Sequence, residues 1–230
     1  LGIYYYPTKK PALMEQFERW LDHARPVFES RLGTQLTDTL LREAPQRYET
    51  LLPELPYIGG DANPLTPTLI AAAWWLVVYR VLANHGKQVE DVGTLIRAFH
   101  DAKTAQLPPE ERQKIGAHRF SETYLDQQRT LAVESQQRRY PGDWVYVFVE
   151  GDGEAFDYGI DYLECAIHKF YTVQGVPELT PWICKADFYT SEALALGLRR
   201  TCTLADGCTR CDFRYKQGRN TDAHETPVKE

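Results

Sequence analysis

Residues 161–168 read Asp161-Tyr-Leu-Glu164-Cys165-Ala-Ile-His168. On a helix, Asp161, Glu164, Cys165 and His168 are offset by three, four and seven residues from the first of them and share one face. A thiol within one turn of an imidazole gives up its proton more easily, and a helix N-terminus favours the thiolate, so this spacing suits a nucleophile and its base. The competing reading makes Cys165 a small buried apolar residue and turns His168 to solvent beside Lys169. A second segment carries Cys184, Asp187 and Ser191 at similar spacing. Antiparallel pairing of the two helices would bring Asp187 towards His168 and complete a Cys-His-Asp relay. Capping, or an ion pair with Lys185 or Lys169, is the commoner fate of a helical aspartate.

Further along, Cys202, Cys208 and Cys211 form C-x5-C-x2-C. A CxxC before a strand is how zinc ribbons present two thiolates, but no second CxxC or HxxxH follows, so no metal site is expected. Arg214, three residues after Cys211, is suited to clamp a carboxylate through two parallel hydrogen bonds; its alternative is an ordinary surface arginine. Gly59-Gly60 with Asn63-Pro64 would bring backbone amides and Asn63 to a ligand, although a turn leading into a helix explains the same residues. The chain has no GxSxG elbow, no HExxH and no dinucleotide fingerprint, which removes several common enzyme classes and leaves no cofactor implied.

The elements that must position these groups change character at Tyr140-Pro141-Gly142. Before it, residues 1–140 read as mainly helical. Phe17, Trp20, Leu21, Ala24, Val27 and Phe28 mark one face of a helix beginning near Pro11, with Pro26 expected to bend or split it. Leu36, Leu40, Leu41 and Tyr48 mark a second, which Pro45 invites to break. The run LIAAAWWLVVYRVLA at 69–83 is shorter than the roughly 20 residues a bilayer span needs, and reads as a buried core helix capped by Thr66 with Pro67 at its first position. Residues 89–103 form another helix, and 108–137 a long charged one. After the change, Trp144, Tyr146, Phe148 and Glu150 alternate with Val145, Val147 and Val149 as a strand. Residues 156–162 make its hairpin partner, 163–173 and 181–196 are helices, and 198–204 and 211–216 are two more strands. The expected fold is α+β: a helical N-terminal part packed on an antiparallel module of order strand, strand, helix, helix, strand, strand over 141–218. Both parts are expected to form one integrated domain, with 219–230 as a loose polar tail.

With 230 residues the chain is long enough to bury a full core. A net charge of −6 disfavours nucleic acid, whose binding needs many phosphate-neutralising cations. Late basic residues such as Arg199, Arg200, Arg210 and Arg214 suit a small anionic substrate better. An odd cysteine count of five points to a reducing cytoplasm, and no membrane partner is expected. Self-association into a homo-oligomer is compatible with the sequence, which does not fix the oligomeric state.

Residues 157–215, with YIGGDANPLT before the apolar helix, resemble the L-2-amino-thiazoline-4-carboxylic acid hydrolase family. The resemblance covers most of the chain after residue 57. It is densest in D161-Y-x-E164-C165, in ELTPWICKAD around Cys184 and Asp187, and in RTCTLADG followed by C211-D-F-R214. It implies hydrolytic opening of a 2-aminothiazoline carboxylate to N-carbamoyl-L-cysteine, by addition to an amidine carbon and departure of a thiolate. In that setting Cys165, or a water activated by Glu164 or His168, attacks. Asp187 and Asp161 belong to the same catalytic set, and Arg214, Cys184, Cys211 and Asn63 to the substrate-binding one. The family pattern often has another Cys where His168 stands. The alternatives are a small-acid-binding or sensory module without turnover, or a relative running a different reaction on the same scaffold.

Overall fold

The computed structural model describes residues 5–222. The expected tail lies outside the described residues from 223 onwards. Residues 219–222 are held: the Arg219 guanidinium donates to the carbonyls of Gly197 and Ala155 at 2.8 and 2.9 Å, and the Asp222 amide to Leu198 at 2.9 Å.

Among the described residues the fold is α+β, with eight α-helices and one three-stranded antiparallel sheet. In chain order they are α1 Tyr5–Leu32, α2 Thr34–Leu51, α3 Thr66–Asn84, α4 Val89–Ala105, α5 Pro109–His118, α6 Glu122–Ser135, β1 Val145–Glu150, β2 Tyr158–Glu164, α7 Ala166–Val173, α8 Thr180–Leu194 and β3 Cys211–Tyr215. The strands lie in the order β1-β2-β3.

The chain divides into two compact units, the first running to Ala102 and including Phe170–Ile183, the second comprising Lys103–Lys169 and the chain from Cys184 on. In the first, α1 continues through Pro11 and Pro26, and α2 through Pro45. An interior proline costs a helix about 3 kcal/mol. The buried face of Phe17, Leu21, Ala24 and Phe28 offsets that cost, because amphipathic packing supplies most helical stability. Helix α3 has Pro67 in its first turn and eleven buried residues. By length and composition alone it would suffice to cross a membrane, with a mean hydropathy of 1.4 over its most apolar window, of which 67% is buried within the fold. Its carbonyl at Ala72 accepts from the Tyr171 hydroxyl at 2.8 Å. Gly93 of α4 lies against Trp182, where a Cβ would come within 2.0 Å of the indole.

In the second unit the long charged helix is two helices. Residues 119–121 interrupt it, and Ser121 caps α6 by accepting the Tyr124 amide on its Oγ at 3.3 Å. Ser135, at the end of α6, exchanges hydrogen bonds with the backbone of Tyr146 at 3.0 Å and ties that helix to β1.

The anticipated fourth strand at 198–204 is reduced to two isolated bridges at Arg199, antiparallel to Arg214 and parallel to Asp222. From Thr201 on, the amides that would continue the ladder go to a side chain instead: Asp212 Oδ1 accepts those of Thr201 and Cys202 at 3.0 and 2.8 Å. A carboxylate that satisfies two amides removes the backbone's need for a neighbouring strand. The segment then turns through a short 3-10 helix, Leu204–Asp206, capped by Thr203.

Candidate active site

The expected helical face of Asp161, Glu164, Cys165 and His168 does not form. Strand β2 extends to Glu164, and α7 starts at Ala166. Along a strand successive side chains alternate, so Asp161 and Tyr162 point to opposite faces. Register sets Tyr162 beside Cys211 and Ile160 beside Phe213 on one face, and Asp161 beside Asp212 on the other. The first face is aromatic: Tyr162 lies 5.2 Å from Tyr146 and 5.3 Å from Phe213, and Tyr158 lies 4.8 Å from Tyr215. The second is polar. There Arg214 donates to Asp161 at 2.7 Å and Arg210 pairs with the same carboxylate at 3.3 Å. Gly159, opposite Arg214, leaves room for that guanidinium; a Cβ would lie 2.9 Å from Arg214 Cδ and 2.7 Å from the Phe213 carbonyl.

Cys165 occupies the junction between β2 and α7, the capping position normally filled by Ser, Thr, Asp or Asn. The backbone amides of His168 and Ile167 and the indole of Trp144 lie close enough to its sulfur to favour the thiolate. Trp144 is buried. His168 thus meets Cys165 through its amide. Burial pushes the Cys165 thiol pKa up and the nearby Asp187 adds to this, while the three donors oppose it; the net direction is upward.

Asp187, in α8, accepts from Arg200 at 2.7 Å, and Arg200 also donates to the carbonyl of Cys184 at 3.0 Å. The Arg200 side chain is 5% accessible and lies between two rings, 4.6 Å from Phe188 and 4.8 Å from Phe213. Asp187 keeps 44% of its side chain accessible. The protein around it still raises its carboxyl pKa against the opposing pull of Arg200. Asp187 therefore serves Arg200 here.

Cys165, Cys184, Cys211 and Asp187 lie within electrostatic reach of one another, and Arg200 within reach of the last three. Burial raises all three thiols, Cys184 well above its ordinary range and Cys211 to about 11. Cys211 Sγ accepts the Leu204 amide at 3.1 Å.

The other expected site residues lie elsewhere. Glu164 is held by Arg138 and Lys169, and Lys169 also donates to the carbonyls of Pro141 and Asp143 at 2.8 and 2.9 Å. Asp161 and Arg214 share the polar face. Asn63 closes its own turn, donating to the Ile58 carbonyl at 2.6 Å and accepting the Leu65 amide at 2.9 Å, and it belongs to the first unit. Cys202 and Cys208 are joined as a disulfide, with Cα atoms 6.2 Å apart. Among the described residues no cluster of three or more His, Cys, Asp or Glu side chains is disposed to hold a metal ion.

Trp144, Tyr162 and Arg200 were not among the expected site residues. The alternation of Tyr158, Ile160 and Tyr162 carries the signal for Tyr162, and it competes with the helical spacing of the carboxylates beside it. For Arg200 no local pattern exists, because its rings come from α8 and β3.

Sheet, thiol at the start of α7 and a buried guanidinium paired with an accessible carboxylate define an α+β protein with a candidate cysteine-centred site. The model of the L-2-amino-thiazoline-4-carboxylic acid hydrolase family matches residues 72–215, more than half of the chain, and the chain belongs to that family. That span includes every residue of the cysteine-centred site. No curated protein and no solved structure matches the chain.

Proposed function

We propose that this protein opens the ring of 2-aminothiazoline-4-carboxylate to N-carbamoyl-L-cysteine, with Cys165 as the nucleophile. The observation that carries this reading is the placement of Cys165 Sγ under three N–H donors at the start of α7, within electrostatic reach of the accessible Asp187. Donors fixed in advance around a sulfur stabilise the charge it carries while it attacks or leaves.

The Cys165 thiol loses its proton and the sulfur adds to the amidine carbon. The ring sulfur departs and takes up a proton to become the substrate's thiol. The amidine carbon is then bonded to Cys165 as an isothiourea. Water adds to that carbon, the Cys165 sulfur leaves and regains its proton, and the carbamoyl product is released. One water is consumed and no other co-reactant is needed. Asp187, with its raised carboxyl pKa, is suited to bind the amidinium end and to relay protons. Arg200 holds Asp187 in place.

Incubation with 2-aminothiazoline-4-carboxylate and detection of a new thiol, with the carbamoyl product identified by mass, tests the proposal. Stoichiometric thiol release is expected. No turnover at an enzyme concentration equal to that of the substrate overturns it.

A further inference from the structure

Resting on that reading of the site, we infer that Cys165 and Asp187 act on the amidine carbon irrespective of the ring, so that open-chain S-alkyl isothioureas are substrates as well. Three features carry this.

Asp187 is anchored on one side only. Its Oδ2 accepts from an arginine that is itself fixed by two rings and a carbonyl, yet 44% of the side chain remains accessible. A planar amidinium offers two parallel N–H groups, the geometry a carboxylate accepts as a fork.

The second feature is a like-charge conflict. The Asp187 carboxylate opposes ionisation of the Cys165 thiol, even though three donors point at the sulfur. A cation bound at Asp187 removes the conflict and releases the thiolate into its cradle. A protonated isothiourea is such a cation and carries its own electrophilic carbon, so recognition and ionisation of the nucleophile are one event.

The third concerns the carboxylate end. Arg214, the arginine placed best in the sequence to clamp it, lies on the opposite face of the sheet in a pair with Asp161. Recognition rests on the amidine end, which ring and open-chain compounds share.

With S-methylisothiourea the Cys165 sulfur displaces methanethiolate, which is protonated to methanethiol, and the amidine is left on Cys165. Water then displaces the cysteine and yields urea. The sum is one isothiourea and one water giving one methanethiol and one urea.

The full chain is incubated in parallel with S-methylisothiourea and with 2-aminothiazoline-4-carboxylate. Methanethiol and urea are measured, and the protein is acid-quenched and mapped by peptide mass. Equal amounts of methanethiol and urea are expected, with an amidino adduct on Cys165. Cys165→Ala abolishes both. Asp187→Asn slows the adduct at least about tenfold while alkylation of Cys165 by neutral iodoacetamide is undiminished or faster, since the opposing charge is gone, which separates loss of amidinium recognition from loss of fold. Opening of the thiazoline without any reaction of the isothiourea overturns this inference and leaves the ring-opening function standing. Reaction of the isothiourea without opening of the thiazoline does the reverse. An adduct on Cys184 or Cys211 in place of Cys165 also overturns the inference.

Discussion

Arg200 and Arg214 each donate to an aspartate at 2.7 Å, Arg200 against the aromatic face of the sheet and Arg214 on the polar one. Their surroundings differ. Asp161, the partner of Arg214, is 16% accessible and receives Arg210 as a second cation, so its charge is fully answered within the protein. Asp187 has one cation behind it, 44% of its side chain in the open, and the Cys165 thiol within electrostatic reach. A closed pair fixes strands; a pair with one accessible partner is where a ligand's charge still has something to answer. The comparison teaches that the same two residue types, 13 and 53 positions apart in the chain, do different work according to which face of the sheet receives them.

Breaking the open pair has the largest expected effect. Arg200→Ala leaves the Asp187 carboxylate without its buried counter-ion, and a loss of about 2–4 kcal/mol in unfolding free energy is expected by urea titration, together with a fall in kcat of at least about a hundredfold. Asp187→Asn keeps the shape and removes the charge; it should lower kcat/KM by roughly a hundredfold and, because the buried Arg200 loses its counter-ion, cost about 1–3 kcal/mol of stability. Trp144→Phe removes one of the three donors to Cys165. A drop of about tenfold in kcat is expected, with the thiol pKa moving further up.

The pH dependence sharpens the comparison further. Since burial raises the Cys165 thiol in the free protein, its alkylation by iodoacetamide should still be climbing at about pH 8.5, where an ordinary thiol is half ionised. A plateau below about pH 8 contradicts the raised value. On the closed side the smallest change is expected: Gly159→Ala crowds Arg214 Cδ and the Phe213 carbonyl, and should cost about 1–2 kcal/mol of stability with kcat nearly unchanged.

Much of this arrangement was legible in the sequence. The α+β class, the β1-β2 hairpin, the core helix α3 and the family were all in view, because long apolar periods and turn residues act locally. The site was harder. The spacing of Asp161, Glu164, Cys165 and His168 fits a helix, while Tyr158, Ile160 and Tyr162 alternate as a strand. Pairing of β2 on both edges decides for the strand, and pairing is not a local property. The fourth strand was lost for a related reason: the Asp212 side chain takes the amides that a ladder would have used. Arg200 could not be distinguished from Arg199 by spacing, because the rings that enclose it come from α8 and β3. Cys165 was singled out for its neighbourhood with His168 rather than for the cap position and the Trp144 indole beside it.

The account turns on the aromatic face as the reacting one, with Cys165 at its centre, and a paired measurement tests this most directly. Opening of 2-aminothiazoline-4-carboxylate is followed for Cys165→Ala and Arg214→Ala prepared side by side. A loss of at least about a thousandfold in kcat is expected for Cys165→Ala, and a change within about threefold for Arg214→Ala. Full activity in Cys165→Ala, or a loss in Arg214→Ala equal to it, contradicts the account.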